Sequence, residues 1–143
     1  MQHLKKYYFS TEGETEELYL KHLEKLINAD KKRVAFVVKA SRPMSFIKQI
    51  TFLNRITVYH LFDVESNETE YVSRFKTTLD EMKGAERLGK TVIYKTCYSN
   101  FTFELWMILH KMEQNGAVAG RKNYLVGINK AFNKKFQSLN EFK

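Results

Sequence analysis

Short apolar runs alternate along this chain with apolar stripes at helical spacing. KKYYFSTEG (5–13) opens with aromatic residues and closes on Gly13, which predicts a first strand and its turn. Residues 14–29 carry Tyr19, Leu20, Leu23, Leu26 and Ile27, the i, i+1, i+4, i+7, i+8 spacing of one helix face. RVAFVVKA (33–40) is β-branched and apolar, the pattern of a strand buried on both faces. Pro43 suits a first helical turn, and Phe46, Ile47, Ile50 and Leu53 predict a second helix. TVYHLFDVE (57–65) reads as a third strand that ends in acids. Tyr71, Val72, Phe75, Leu79 and Met82 predict a third helix, stopped by Gly84 or Gly89. KTVIYKTCYS (90–99) is a fourth strand. Asn100 or Thr102 can cap a fourth helix, FELWMILHKM, so evenly apolar that burial is expected.

Strands that alternate with helices of this length imply right-handed βαβ units and a mostly parallel sheet. The expected fold is therefore α/β, with four strands flanked by helices over residues 1–114. Residues 115–143 differ. They open with the loop signal NGAVAG and continue as a basic segment, Arg121, Lys122, Lys130, Lys134, Lys135 and Lys143 against the single acid Glu141. A last helix is expected over 123–136. No closing element follows, so a fragment of a longer protein is one reading of the chain.

Composition narrows the class. A chain of 143 residues with 43% hydrophobic content supports one core without disulfides or a structural metal. Its one cysteine, Cys97, excludes an internal disulfide and a cysteine zinc cluster, which suits a reducing compartment. The first ten residues are too polar for a secretory signal, and no run approaches the roughly 20 apolar residues of a membrane helix. The expectation is a soluble, cytoplasmic protein with no membrane partner. The formal net charge of +8 fits attraction to a polyanion, and equally fits plain solubility.

Ligands of open α/β sheets bind beyond the carboxyl ends of the strands. The residues placed there are Thr11 to Glu14, Asp63 to Ser66, and Ser99 and Asn100 with Glu104 beyond. In a 2-1-3-4 strand order Glu12 meets Asp63 and Glu65, whose alternation puts both on one side. Converging carboxylates repel unless protons or a cation offset them, and their hard oxygens suit Mg²⁺ or Mn²⁺. Glu14, Glu16 and Glu17 read instead as acids complementing a helix dipole, with Thr11 as N-cap and Glu14 closing a capping box. The acids of ESNETE equally suit a solvated loop. His3, His22, His60 and His110 show no ligand spacing, and His60, mid-strand, reads as a hydrogen-bonded core histidine. Cys97 and Trp106 read as core residues. The lysines of the basic segment suit either a phosphate backbone or a solvated helix face.

Three blocks, STEGETEELYLKHL (10–23), LFDVE (61–65) and CYSNFTFELWMILH (97–110), together resemble the RloB-like family, proteins encoded beside restriction–modification systems and linked to phage defence. That family is similar in turn to Toprim domains, so the resemblance implies a Toprim-like three-layer fold. It implies a metal or acid–base role for Glu12 and the paired-acid role for Asp63 and Glu65. It adds Glu104 as a further acid of the site and Asn100 as a contact to a loop or a substrate phosphate. Glu65 departs from the pattern, being glutamate where aspartate is usual, and Phe101 and Thr102 stand where proline usually follows SN.

Two functions follow. The first is a Mg²⁺- or Mn²⁺-dependent nuclease of a defence system, cutting DNA or RNA at Glu12, Asp63, Glu65 and Glu104. Asn100, Arg121, Lys122, Lys130, Lys134 and Lys135 would then hold the nucleic acid. The second is a module without catalysis that binds nucleic acid or a partner protein of the same locus, a reading favoured by Glu65. A nucleotidyl-transferring relative of primases fits less well, because the chain is small and carries no nucleotide-binding segment.

Overall fold

The computed structural model describes residues 4–30, 33–50, 55–64, 68–88, 91–100, 102–114, 121–138 and 141. Four strands form one sheet: β1 (Lys5–Thr11), β2 (Val34–Ala40), β3 (Ile56–Val64) and β4 (Val92–Asn100). Their order is β2-β1-β3-β4 and every pair is parallel. The helices are α1 (Glu14–Ala29), α2 (Pro43–Gln49), α3 (Thr69–Arg87), α4 (Phe103–Leu109) and α5 (Tyr124–Phe132). This is the mostly parallel α/β arrangement expected of a Toprim-like three-layer fold. Among the described residues no helix is long and apolar enough to cross a membrane.

Alternation along the strands divides the sheet into two unlike faces. Val58, Val92 and Tyr94 point to one face and pack with Phe46 and Ile47 of α2 and Met82 and Ala85 of α3, forming the main core. Lys5, Tyr7, Phe9, Phe36, Tyr59 and Lys95 belong to the other face by register. There α1 lies along the outer side of β2 rather than across the sheet. Its Asn28 amide takes both the Phe36 N–H (2.9 Å) and the Phe36 carbonyl (3.0 Å), and Glu24 accepts from the Val38 N–H (3.1 Å). At the opposite edge, Glu86 of α3 accepts from the Tyr94 N–H at 2.7 Å. Both edge strands thus have outward amides bonded to side chains, which makes them poor templates for a further strand.

Several boundaries differ from the sequence reading. Gly13, not Thr11, is the N-cap of α1, and no side chain caps that end. Thr11 is drawn into β1 and buried, so the expected capping box does not form. α2 stops at Gln49; Ile50 is already extended yet still packs on the core, and Leu53 lies outside the described residues. α3 runs through Gly84 to Arg87, because core contacts of Met82 and Ala85 on either side outweigh the ~1 kcal/mol cost of an internal glycine. α4 has seven residues, and Thr102 caps it as expected by accepting from the Glu104 N–H at 3.4 Å. It is not buried all round: Trp106 is 41% exposed and Leu109 50%. Cys97 is exposed on the open sheet face. α5 ends at Phe132, short of residue 136, on Asn133 at φ 51°, a left-handed position that asparagine tolerates. Its Tyr124 and Ile128 pack against Ile108 of α4 in a second, smaller apolar cluster.

Truncating the fully buried Phe46 to alanine is expected to cost about 3–5 kcal/mol, while Leu26→Ala, at a position 55% exposed, should change stability by less than ~0.5 kcal/mol. Urea denaturation of both variants checks the ranking.

Candidate active site

The pairing of β1 with β3 fixes Glu12. Register runs Ser10↔His60 and Thr11↔Leu61, and the Glu12 N–H continues it by bonding the Leu61 carbonyl at 3.3 Å. Its carboxylate leans toward the α3 face. Glu12 Oε1 lies 3.2 Å from His60 Nε2 and accepts from Thr78 Oγ1 at 3.2 Å. His60 is fully buried, and its Nδ1 is 2.6 Å from Ser10 Oγ. A neutral ring satisfies both contacts when Ser10 donates to Nδ1 and Nε2–H donates to Glu12. His60 is thus the hydrogen-bonded core histidine that its mid-strand position suggested, and it also orients a candidate catalytic acid. The His60 hydrogen bond holds the Glu12 carboxyl below its usual range, against the opposing effect of burial, with the charge of Arg42 and the Thr78 hydroxyl adding to it. Arg42 is itself anchored to Glu81 at 2.7 Å.

Asp63 sits near the end of β3, opposite Ser99 of β4. The Ser99 hydroxyl donates to Asp63 Oδ1, and the Phe103 N–H, at the start of α4, donates to Oδ2 at 3.4 Å. Two further acids are drawn in beside it. Glu16 of α1 is 4% exposed and Glu104 of α4 is 1% exposed. Burial, the charges of Asp63 and Glu104 and a hydrogen bond with Asp63 push the Glu16 carboxyl up to about 7, with its own backbone N–H pulling the other way. The Glu16 side chain curls back over Gly13, where a methyl group would overlap its carboxylate. Gly13 has φ −92°, open to any residue, so glycine is needed there for space and not for conformation.

Glu12, Glu16 and Asp63 all line one cleft of about 220 Å³ at the carboxyl edge of the sheet. Arg74, Tyr71 and Thr78 of α3 form its far wall. The structure therefore brings Glu12 and Asp63 together as the strand order required, with Glu104 buried beside Glu16. Glu65 lies outside the described residues, as do the side chains of Asn100 and Arg121. Lys122, Lys130, Lys134 and Lys135 are exposed on the C-terminal segment and are not among the described residues that line the cleft. Glu16 stands in the first turn of α1, as a dipole-complementing acid would, and it is also buried beside Asp63 and Glu104. Arg74 and Thr78 gave no signal, being polar positions of an amphipathic helix.

The donor set fits a hard divalent cation in its chemistry. Carboxylates at Asp63, Glu16 and Glu12 crowd one cleft, and burial first, then the charges of Asp63 and Glu104, raise that of Glu16 to about 7. Their present arrangement is not a ligand set: among the described residues, no three His, Cys, Asp or Glu side chains are grouped to hold a metal ion.

The two acids set opposite pH dependences. Glu12, lowered in the fold, contributes stability that is present above its unfolded value of 4.5 and is lost as pH falls. Glu16, raised from 4.5 to about 7, is bound more tightly to its proton when folded, so stability falls as pH rises between those values. Glu16→Gln in EDTA should therefore flatten the decline between pH 5 and 7.5 and gain on the order of 2 kcal/mol at pH 8. Urea midpoints at pH 5, 6.5 and 8 check it; an unchanged slope would place the proton elsewhere.

No curated protein and no solved structure matches the chain. One family model does, described as RloB-like protein, over residues 7–143. That match covers the acid cleft, the aromatic sheet face and the basic C-terminal segment alike: the chain belongs to the RloB-like family.

Proposed function

We propose that this protein is a metal-dependent nuclease of a bacterial, cytoplasmic phage-defence system, hydrolysing phosphodiester bonds in DNA or RNA. The observation that carries the reading is the pairing of unlike carboxyls in one cleft. Glu12 is held ionised by His60 and Thr78, while burial and the neighbouring Asp63 and Glu104 raise the Glu16 carboxyl to about 7 in the same cleft. Separated protonation states of this kind are how a fold assigns base and ligand roles.

Asp63 and Glu16, with Glu12 opposite and Glu65 two residues beyond Asp63, would hold Mg²⁺ or Mn²⁺. Such an ion, when bound, polarises a phosphoryl oxygen and offsets charge on the leaving oxygen. Glu12 is the residue to accept a proton from an attacking water, since its carboxylate is fixed by two donors and stays ionised at neutral pH. Ser99 and the Phe103 N–H keep Asp63 from swinging away. Arg74, on the cleft wall, suits a substrate phosphate. The exposed lysines of the C-terminal segment would add salt-sensitive backbone contacts.

A second reading has its own support. The described acids are not grouped as a ligand set, and Glu65 replaces the usual aspartate, which suits a module that binds nucleic acid or a partner protein of the same locus without cutting.

The test uses labelled single- and double-stranded DNA and RNA with Mg²⁺, Mn²⁺ or EDTA. Cleavage should need the metal and fall by at least about a hundredfold in Glu12→Gln and in Asp63→Asn. Activity that survives both substitutions sinks the site, and salt-sensitive binding without cleavage under any metal selects the module.

A further inference from the structure

The sheet face away from the main core carries aromatic rings that the described helices leave partly exposed. Tyr7 and Phe9 of β1 are flanked by Phe36 of β2 and Tyr59 of β3. Phe9 stacks on Tyr59 with ring centres 5.5 Å apart, Phe9 meets Phe36 at 4.8 Å, and Tyr7 meets Phe36 edge-on at 6.0 Å. Lysines border these rings. Lys5 Nζ sits 4.9 Å from the centre of the Tyr7 ring, and Lys95 is the register partner of Tyr59. From Phe9 and Phe36 an apolar groove of about 510 Å³ leads past Leu61, Cys97 and Trp106 to Asp63 and Glu16. Those last two residues also line the acid cleft. The groove and the cleft therefore meet at the proposed reaction centre.

An ordinary core face would be aliphatic and closed by helices. Here α1 is held at the β2 edge by Asn28 and Glu24, so it does not cross over β3 and β4. Flat rings with lysines on either side form a surface on which bases stack while cations meet phosphates, and that combination ignores base sequence. Duplex DNA hides its base faces, so such a surface selects an unpaired strand. A second copy of the chain is a poorer occupant, because its own Lys5 and Lys95 would add like charge to a molecule already at +8.

We infer that the face formed by Tyr7, Phe9, Phe36 and Tyr59, with Lys5 and Lys95, binds single-stranded nucleic acid and leads it along the groove to Glu16 and Asp63. This rests on the nuclease reading in naming the ligand, and binding is measurable without turnover.

Cys97, the one cysteine of the chain, lies exposed in the groove and reports on its occupancy. The full chain is titrated in EDTA with a fluorescent dT12 or U12 strand and with a 12-base-pair duplex, and Cys97 alkylation by a maleimide is timed with and without each. Single strands should bind at least tenfold tighter than duplex and slow alkylation at least tenfold. Tyr59→Leu, which keeps an apolar side chain and so the fold, should weaken single-strand binding between about five- and a hundredfold. Lys95→Gln should lessen its salt dependence. Binding that ignores Tyr59→Leu and leaves Cys97 reactive overturns the inference. So does a dimer, seen by light scattering, in which Cys97 is protected without any strand. Cleavage with no Cys97 protection would leave the nuclease and remove this surface; protection with no cleavage under any metal would do the reverse.

Discussion

The parallel register of β1 against β3 is the constraint on which everything else depends. Ser10 opposite His60, and the Glu12 N–H on the Leu61 carbonyl, place the end of β1 two residues short of Asp63. A shift of one residue would turn Ser10 away from His60 and carry Glu12 to the other side of the sheet. The buried His60 is what makes such a slip costly, since its ring nitrogens would lose Ser10 and Glu12 together. The polar pair thus serves the fold as well as the site: it locks the register, and the register aligns the acids.

Once the strands are aligned, the two faces treat their acids differently. Glu12 is met by donors from β3 and α3, so its charge is favoured. Glu16 is buried and met by other carboxyls, so its charge is opposed. Both lie within one small cleft, and the difference arises from what packs above each, not from residue type. Gly13 links the two, because only its missing side chain lets Glu16 fold back over the turn that carries Glu12.

The sequence made the strands, their parallel order and the identity of Glu12 and Asp63 legible, because apolar runs and stripes report what each segment buries. It misled where burial comes from distant segments. Glu16 carries the signature of a first-turn acid, and nothing local reveals that it is buried beside Asp63 and Glu104. Trp106 and Cys97 look like core by residue type, yet the outward placement of α1 leaves them on an open face. The capping box at Thr11 and Glu14 fails for a related reason: pairing with Ala40 and Leu61 extends β1 through Thr11, and Gly13 takes over as cap.

The charge pattern follows from the same geometry. A protein with 24 basic and 16 acidic side chains still gathers four acidic residues, Glu12, Glu14, Glu16 and Asp63, around the cleft at the mouth of its sheet. Burial and the neighbouring charges raise the Glu16 carboxyl to about 7, so it carries its proton for part of the time near neutral pH, and a bound cation would release that proton. A polyanion approaching along a lysine-edged aromatic face would meet that negative cluster last and be repelled unless a cation intervened. On the proposed reading, attraction over the surface and repulsion at the centre would make strand binding and metal binding mutually dependent at the cleft, and would leave binding to the open face independent of metal. The separation of the two requirements lies in the fold itself: β1 and β3 supply rings to one face along their length and acids only at their carboxyl ends.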